Sequence, residues 1–497
     1  MHSLPKSLPR ICVALGLPTA AQLARAGEME YKDGNSFQEF RLDYLNSPAA
    51  GIQVLADFKK KYPDAYVLAT CRHRQASGHF KGDVQQQISL LKNAARAGAT
   101  FIDLEIETAE QTQPELNALR ELAPLCLSYH NFESTPALAP IIKRLARIPA
   151  DVHKLAVTAR KPSDNLRLFD WLRLPHKTPL IAMAMAEAGL VSRVLSPSMG
   201  SLYSYAAPCL DEGTAPGQIP AKSMRSLYRC EKLTSQTRVY GVIASPVSHS
   251  KSPLIHNRAF QARRLDSVYL PFLVQAHQLS DWMKFAAELP VSGFSVTIPH
   301  KQRIIRYLDV IDPLAKRLGA VNTVWRKAGK WRGANTDTEG VLKPLAKHLR
   351  LAHASILIAG YGGAARAAAI ALSDASAKVT ITGRNLKSAQ DLAKVVNGHA
   401  LSLEDAQDSY FDALINATPL GMSPYQETSI FREKIPAGIV MDMVYNPHET
   451  PLLQLALAQK ATVVYGIDML LEQAAHQFEI WTGETAPRGV MKRAIDF

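Results

Sequence analysis

Cysteine is scarce in this chain: five of 497 residues, Cys12, Cys71, Cys126, Cys209 and Cys230, with none in the second half. That spacing excludes a disulfide framework and a clustered metal site, and it points to a reducing compartment. No apolar run approaches the roughly 20 residues that cross a bilayer, so no membrane span is expected. Basic clusters are missing too. The net charge is +13, but Lys59-Lys60-Lys61 is the longest basic run and no zinc-finger or helix-turn-helix spacing accompanies it. Nucleic acid is therefore not the expected partner; anionic small molecules account for the basic bias as well. What remains is a globular composition, 47% hydrophobic and 20% charged. The length calls for roughly two to four domains. The stretch from Met1 to Ala21 superficially resembles a secretory leader, yet Pro18 and the strand-like run Ile11 to Gly16 fit a first structural strand better.

Up to about residue 225 one unit repeats, a short apolar strand followed by a helical stretch. The strands are ICVALG, FQEFRLDYL, YVLATCR, ATFIDLEIE, LCLSYHNF, DVHKLAVT, PLIAMAMAE and LYSYAAP, with helix-period segments such as DVQQQISLLKNAARAG between them. Eight strands at this spacing predict a (β/α)8 barrel, which carries its chemistry at the C-terminal ends of the strands. Polar residues gather there: Glu39, Arg41, Arg72, Glu105, His130 and Lys154. Each alone reads as an ordinary surface or hydrogen-bonded core residue; together on successive strand ends they read as a site. Lys154 is the sharpest case, because a lone buried ammonium is costly and burial favours the free amine.

A polar, basic stretch, PAKSMRSLYRCEKLTSQTR, follows and reads as a linker. From Ala354 the pattern becomes strand ASILIAG, glycine turn, helix GGAARAAAIALSDA, strand AKVTITG and helix NLKSAQDLAKVV, the start of a dinucleotide-binding fold. Gly360-Tyr361-Gly362-Gly363-Ala364-Ala365 fits the phosphate-binding turn, whose glycines admit a pyrophosphate against the next helix N-terminus. At the end of the second strand stand Gly383-Arg384-Asn385 and Lys387, with no carboxylate for a ribose hydroxyl. Cations in that place favour a 2′-phosphate and hence NADP.

The first half resembles type I 3-dehydroquinate dehydratase through EFRLD (39–43), TCRHRQASGHF (70–80), DLE (103–105), SYHNF (128–132), DVHKLAV (151–157), Ser192-Arg193 and APGQIP (215–220). The second half resembles shikimate dehydrogenase through SPVSHSKSPLIHN (245–257), GFSVTIPHK (293–301), GAVNTV (319–324), GANTDTEG (333–340), IAGYGGAARA (358–367), NATPLGM (416–422), DMVYNP (442–447) and the tail from Gly466. A chain carrying both looks like the bifunctional dehydratase–dehydrogenase of the shikimate pathway. The implied domains are a barrel over 1–225, a linker over 226–237, a substrate-binding domain over 238–343 with a C-terminal helix at 479–497, and a Rossmann-like NADP domain over 344–478.

The resemblance implies the roles. Lys154 forms a Schiff base with the C3 ketone of 3-dehydroquinate, an electron sink that eases loss of the neighbouring C2 proton. His130 takes that proton and helps the C1 hydroxyl leave, and Glu105 orients the histidine. Arg193 clamps the carboxylate, with Gln218, Arg72, Glu39 and Arg41 around the ring hydroxyls. In the second half Lys301 and Asp337 stand beside the carbonyl reduced by NADPH. Ser250 and Ser252 bind the carboxylate, and Thr297, Asn322, Tyr445 and Gln473 surround the substrate. The cofactor set is Gly360, Gly362, Gly363, Ala364, Arg384, Asn385 and Lys387, with Asn416, Thr418 and Met443 on the nicotinamide side. No metal is implied.

Four positions depart from the family pattern. Ser77-Gly78 replaces a glycine pair, Ala186 replaces the glycine of a Met-Gly-Glu run, Tyr361 replaces a small residue, and Ser295 stands where many bacterial members have asparagine. Two other readings are disfavoured: a dehydrogenase half preferring quinate, because Ser252 and Thr297 fill the needed space, and a regulatory protein, because both lysines and their partners are present. Cytosol is the expected location, or a plastid if the sequence is a mature form.

Overall fold

The computed structural model describes residues 4–5, 7–208 and 213–495; Cys209 lies outside them. The chain divides into two compact units. One comprises Met1–Val239, Ala244–Ser248 and Asp266–Val291; the other comprises Tyr240–Ile243, His249–Leu265 and Ser292–Phe497.

The first unit is built on eight parallel strands: β1 (Ile11–Leu15), β2 (Phe37–Arg41), β3 (Tyr66–Thr70), β4 (Phe101–Glu105), β5 (Leu125–His130), β6 (Val152–Thr158), β7 (Leu180–Met185) and β8 (Ser204–Ala206). They run β7-β6-β5-β4-β3-β2-β1-β8, and β1 pairs in parallel with both β2 and β8. The ring nearly closes where Leu202 N donates to Leu180 O at 2.8 Å. The expected barrel is therefore present, strand for strand. Side chains alternate along each strand, so every second residue enters the barrel. Cys12, Phe37, Phe101, Cys126, Val152, Ile181 and Tyr203 share one buried apolar cluster. Two residues further along come Glu39, Asp103, Ser128, Lys154, Met183 and Tyr205, and two further again Arg41, Glu105, His130 and Met185. The barrel thus changes from apolar to polar toward the C-terminal strand ends, which is what places a site there.

The stretch expected as a linker contributes to packing: Tyr228, Cys230 and Leu233 are buried, and Arg10 donates to Leu233 O at 2.7 Å. Apolar residues every few positions give it a face to bury, despite its polar composition.

Beyond it lie β9 (Arg238–Ala244), β10 (Ser267–Leu273), β11 (Val291–Val296), β12 (Val310–Ile311), β13 (Thr323–Lys327) and β14 (Lys330–Ala334). In the second unit a mixed sheet runs β9-β11-β13-β14-β12. A parallel sheet follows from β15 (Ser355–Ala359), β16 (Lys378–Thr382), β17 (His399–Ala400), β18 (Phe411–Asn416), β19 (Ala437–Asp442) and β20 (Thr462–Val464). Its order, β17-β16-β15-β18-β19-β20, reverses between β15 and β18, the switch point where doubly wound sheets bind ligands. One expectation is corrected here. Instead of a single helix over 479–497 there are two, Gly466–Thr482 and Arg488–Arg493. Gly483 ends the first at φ 73°, a left-handed turn that glycine favours, and Pro487 precedes the second.

Candidate active sites

Lys154, on β6, is 3% exposed. Its Nζ lies 2.8 Å from the hydroxyl of Tyr205 and donates to Asp103 Oδ2 at 3.1 Å, with Glu39 Oε1 at 3.8 Å. The premise of a lone buried lysine is therefore corrected: two carboxylates flank it. Asp103 is fully buried, which by itself favours the acid. Lys154 and Arg72 overcome that and hold its carboxyl below the usual range.

One cavity is lined by Glu39, Arg41, Arg72, His130, Lys154, Arg193, Gln218 and Tyr205, among others. Glu105 is not among its lining residues. Its Oε1 accepts from Gln87 Nε2 and Thr108 Oγ1, both at 2.8 Å, and from His73 N at 3.1 Å. This carboxylate is turned to the helix Val84–Arg96 and the loop at His73. Its Oε2 and the Nδ1 of His130 are each buried without a hydrogen-bond partner, so the structure does not join the expected pair.

His130 is half-buried, its ring stacked at 16° on Phe132 with centroids 6.1 Å apart. Loss of water, then the cations Arg72, Lys154 and Arg41, push its pKa well below that of free histidine. It is therefore a neutral base.

The arginines differ in a way sequence could not show. Arg41 is committed to Asp43 through two bonds of 2.9 and 2.8 Å. Arg72 reaches Asp103 at 3.6 Å. Arg193, 1% exposed, donates to Pro216 O at 2.9 Å and touches Met183 Sδ at 3.9 Å, and its Nε has no partner. Burial lowers its pKa to about 10. A buried guanidinium with spare donors and no carboxylate on it is built to receive one. Gln218 ties the covering loop through its Oε1, which accepts from Thr214 N at 2.7 Å. Both departures from glycine in this half fall at positive φ: Ser77 at 60° and Ala186 at 66° with ψ 176°.

In the second unit Lys301 Nζ donates to Asp337 Oδ2 at 2.6 Å, and Asn322 Nδ2 donates to Oδ1 of the same carboxylate at 2.8 Å. Asn322 is fixed in turn, its Oδ1 accepting from Thr336 N at 2.8 Å. Gln477 props this group from below, bonding Asn322 O at 3.1 Å, Thr323 Oγ1 at 3.0 Å and Ser295 Oγ at 2.8 Å. Ser295 thus has a built partner. Val321 N donates to Lys301 O, and His300 N to Thr297 O, both at 2.8 Å, which holds the VTIPHK turn beside Asn322. Ser250 Oγ accepts from Ser252 N at 3.3 Å, where the helix Ser252–Ala262 begins. Gln473 faces the helix of Asp337: a Cβ added at Gly340 would meet Gln473 Cβ at 3.3 Å. Tyr445 is half-buried in the loop after β19, and burial raises its pKa.

The nucleotide turn fits the group expected of it. Gly360 takes φ 118°, and Cβ atoms added at Gly362 or Gly363 would meet nothing within 4 Å, leaving a clear cradle at the start of the helix Gly363–Asp374. Ala364, Arg384 and Lys387 are exposed beside it. Asn385 is partly spent as a helix cap, accepting from Ser388 N at 3.1 Å. Tyr361 folds its ring against Gly383, where an added Cβ would meet Tyr361 Cε1 at 2.9 Å. Asn416 and Thr418 brace one another at 2.6 Å, with Asp442 holding Asn416 at 2.9 Å, and Met443 packs on the sheet core.

Sequence reading did not single out Asp103, Tyr205, Asp43 or Gln477. A signal existed for the first: Asp103 lies two residues before Glu105 on β4, so the two enter on one face.

Comparison with known proteins supports these two halves. Family models for type I 3-dehydroquinase match residues 11–235, for the shikimate dehydrogenase substrate binding domain 242–324, and for the shikimate 5′-dehydrogenase C-terminal domain 466–495. The chloroplastic bifunctional 3-dehydroquinate dehydratase/shikimate dehydrogenase of Arabidopsis thaliana is 33% identical, over 98% of this chain and 84% of its own. A shikimate dehydrogenase (NADP(+)) of Methanobrevibacter smithii is 40% identical, over 53% of this chain and 98% of its own. A crystal structure of a shikimate dehydrogenase in complex with NADP+ superposes with a TM-score of 0.50 at 39% identity, over 53% of this chain and 96% of that one.

Proposed function

The chain belongs to the family of bifunctional 3-dehydroquinate dehydratase/shikimate dehydrogenases, and from that premise we propose how its residues divide the work. The barrel dehydrates 3-dehydroquinate to 3-dehydroshikimate, and the second unit reduces that product to shikimate with NADPH. The observation that carries the barrel mechanism is Lys154, a buried amine on the cavity wall it shares with His130 and Arg193.

Arg193 receives the substrate carboxylate, while Arg41, Arg72, Glu39 and Gln218 surround the ring hydroxyls. An ammonium is not nucleophilic, so Nζ passes a proton to the Asp103 carboxylate it already bonds before it attacks the C3 carbonyl. That proton returns to the ketone oxygen as it leaves as water. The resulting iminium draws electrons from C2, and neutral His130 removes the C2 proton. The same proton then goes to the C1 hydroxyl, which leaves as water. Glu105 serves this site through its hold on His73 and the loop that follows, with no hydrogen bond to the histidine.

In the second unit Gly360, Gly362, Gly363 and Ala364 would cradle the pyrophosphate, with Arg384, Asn385 and Lys387 at the 2′-phosphate and Asn416, Thr418 and Met443 toward the nicotinamide. NADPH, when bound there, supplies the hydride. Lys301 gives the proton to the ketone oxygen, and Asp337, fixed by Asn322, aims the lysine. Ser250, Ser252, Thr297, Tyr445 and Gln473 complete the substrate shell. The domain limits given above follow the same division. The described cysteines are all free and buried, which suits the reducing cytosol or a plastid.

The test is borohydride reduction in the presence of 3-dehydroshikimate, followed by peptide mass mapping. An adduct on Lys154, absent from Lys154→Ala, is expected. A variant that dehydrates at the wild-type rate would sink the mechanism. Steady-state rates on shikimate and quinate, each with NADP and NAD, check the second site.

A further inference from the structure

Resting on the NADP reading of the second unit, we propose that Tyr361 recognises the 2′-phosphate of the cofactor. Its ring fills the place of the side chain that Gly383 lacks, and its hydroxyl donates to the phosphate beside Arg384.

The backbone brings the two residues together. β15 and β16 pair in parallel with Ala359 opposite Thr382, so the residues that leave the strands, Gly360 and Gly383, emerge abreast. Gly360 N donates to Thr382 O at 2.8 Å, which ties the glycine turn to the end of β16. The next side chain, Tyr361, crosses onto Gly383: an added Cβ there would meet Tyr361 Cε1 at 2.9 Å and Cδ1 at 3.0 Å. The ring therefore lies along the path a side chain at 383 would take. Cε1 is bonded to the carbon that bears the hydroxyl, so a polar group is held close to that path. The ribose of a dinucleotide would span from the cradle at Gly362 and Gly363 to Arg384, and Tyr361 stands between them, 37% exposed.

That place has a chemical meaning. Dinucleotide folds carry their ribose-recognising side chain about 20 residues beyond the glycine turn, where the second strand ends. Gly383 holds that position here and has nothing to reach with. Where the cofactor is NAD the residue is a carboxylate, which accepts from the 2′-hydroxyl and would repel a 2′-phosphate. A phenol is neutral and can donate, so it meets the phosphate without repulsion. A hydrogen bond to an ionised acceptor is also stronger than one to a hydroxyl, so the phenol favours NADP over NAD. Arg384, the next residue along and exposed, adds the cation. The large residue in the glycine turn and the glycine at the end of β16 thus belong together: one supplies the polar group that the other position has given up.

The experiment is equilibrium binding to the full-length protein by calorimetry, with NADP+ and NAD+ as separate ligands. Tyr361→Phe keeps the ring and removes only the hydroxyl. It should weaken NADP+ about tenfold, the low end for a hydrogen bond to a charged group, and leave NAD+ within about threefold. Tyr361→Ala should weaken NADP+ at least as far. NADP+ binding by Tyr361→Phe within about threefold of wild type would overturn the proposal. So would an equal loss for both nucleotides, which would make the hydroxyl a prop of the turn. Tighter NADP+ binding by Tyr361→Ala would overturn it as well, because the phenol would then be crowding the site. A second measurement needs no variant: nitration of Tyr361 in the wild type by tetranitromethane, mapped by peptide mass. With NADP+ at about ten times its Kd, nitration should slow about tenfold, and an unchanged rate would rule out the contact. A wild type that binds NADP+ no tighter than NAD+ would instead sink the NADP reading beneath the proposal.

Discussion

Replacing Arg193 by methionine should make the protein more stable and its barrel nearly unable to hold substrate. The two effects have opposite signs because the guanidinium is buried without an anion. Its pKa falls to about 10 in the fold, a penalty on the charged form of about 3 kcal/mol. The folded value is the lower one, so the cost is fully present below about pH 10 and fades as pH rises above it. Against it stand the bond to Pro216 O and the weak contact with Met183 Sδ, together about 1–2 kcal/mol. Pro216 O is not orphaned by the change, because Ala186 N also donates to it at 3.1 Å. Arg193→Met should therefore gain about 1–2 kcal/mol of stability without ligand, the difference of those two amounts. Truncating one partner of a buried charge pair costs about 2–5 kcal/mol, or roughly 30- to 5,000-fold in affinity for the carboxylate. Thermal unfolding with and without 3-dehydroshikimate separates the two effects. At a hundredfold excess over Kd the wild type gains about 2.7 kcal/mol, and the variant at the same concentration should gain less than about 1 kcal/mol. A variant less stable than wild type that keeps the ligand shift would refute the reasoning.

Three further outcomes follow from the same geometry. Ala186→Gly relieves a residue held at φ 66°, ψ 176°, so it should raise the unfolding midpoint by an amount worth about 1 kcal/mol; a fall in denaturant titration would count against that strain. Because the His130 pKa is depressed in the fold, the acid limb of dehydration should lie below pH 6.5, and the stability it supplies is present above 6.5 and lost as pH falls from there. A pH–rate inflection at or above 6.5 would contradict this. Lys301→Ala should lower ketone reduction by about 100-fold or more while leaving dehydration intact, each followed separately by absorbance; loss of both would argue against independent sites.

The barrel was legible because its pattern is local: each strand is an apolar run, and period-two alternation sets which side chains enter. Lys154 and His130 were legible for the same reason, as polar residues toward strand ends, whereas Arg193, inside the helix Leu190–Leu195, was legible only through the resemblance. Partnerships between strands were not. Nothing local distinguishes Asp103 from Glu105, two carboxylates on one face of β4, yet only the first reaches Lys154, and the second is drawn away by Gln87 and Thr108. Nor does sequence show that Arg41 is occupied by Asp43 while Arg193 is not, since that depends on the loops across the barrel mouth. The split tail was readable from Gly483 and Pro487 once their conformational meaning was applied. Ser77 and Ala186 show the reverse: the sequence revealed the missing glycines, and only the backbone angles showed that both places demand them.

The ring of Tyr361 lying against Gly383 has a consequence for how this nucleotide turn can change. A side chain at 383 meets the phenol first, its first carbon 2.9 Å from Tyr361 Cε1, and enters only as that exposed ring turns aside. The two positions are therefore epistatic. Shrinking residue 361 frees position 383, so Gly383→Ala should cost less stability in a Tyr361→Ala background than beside the tyrosine.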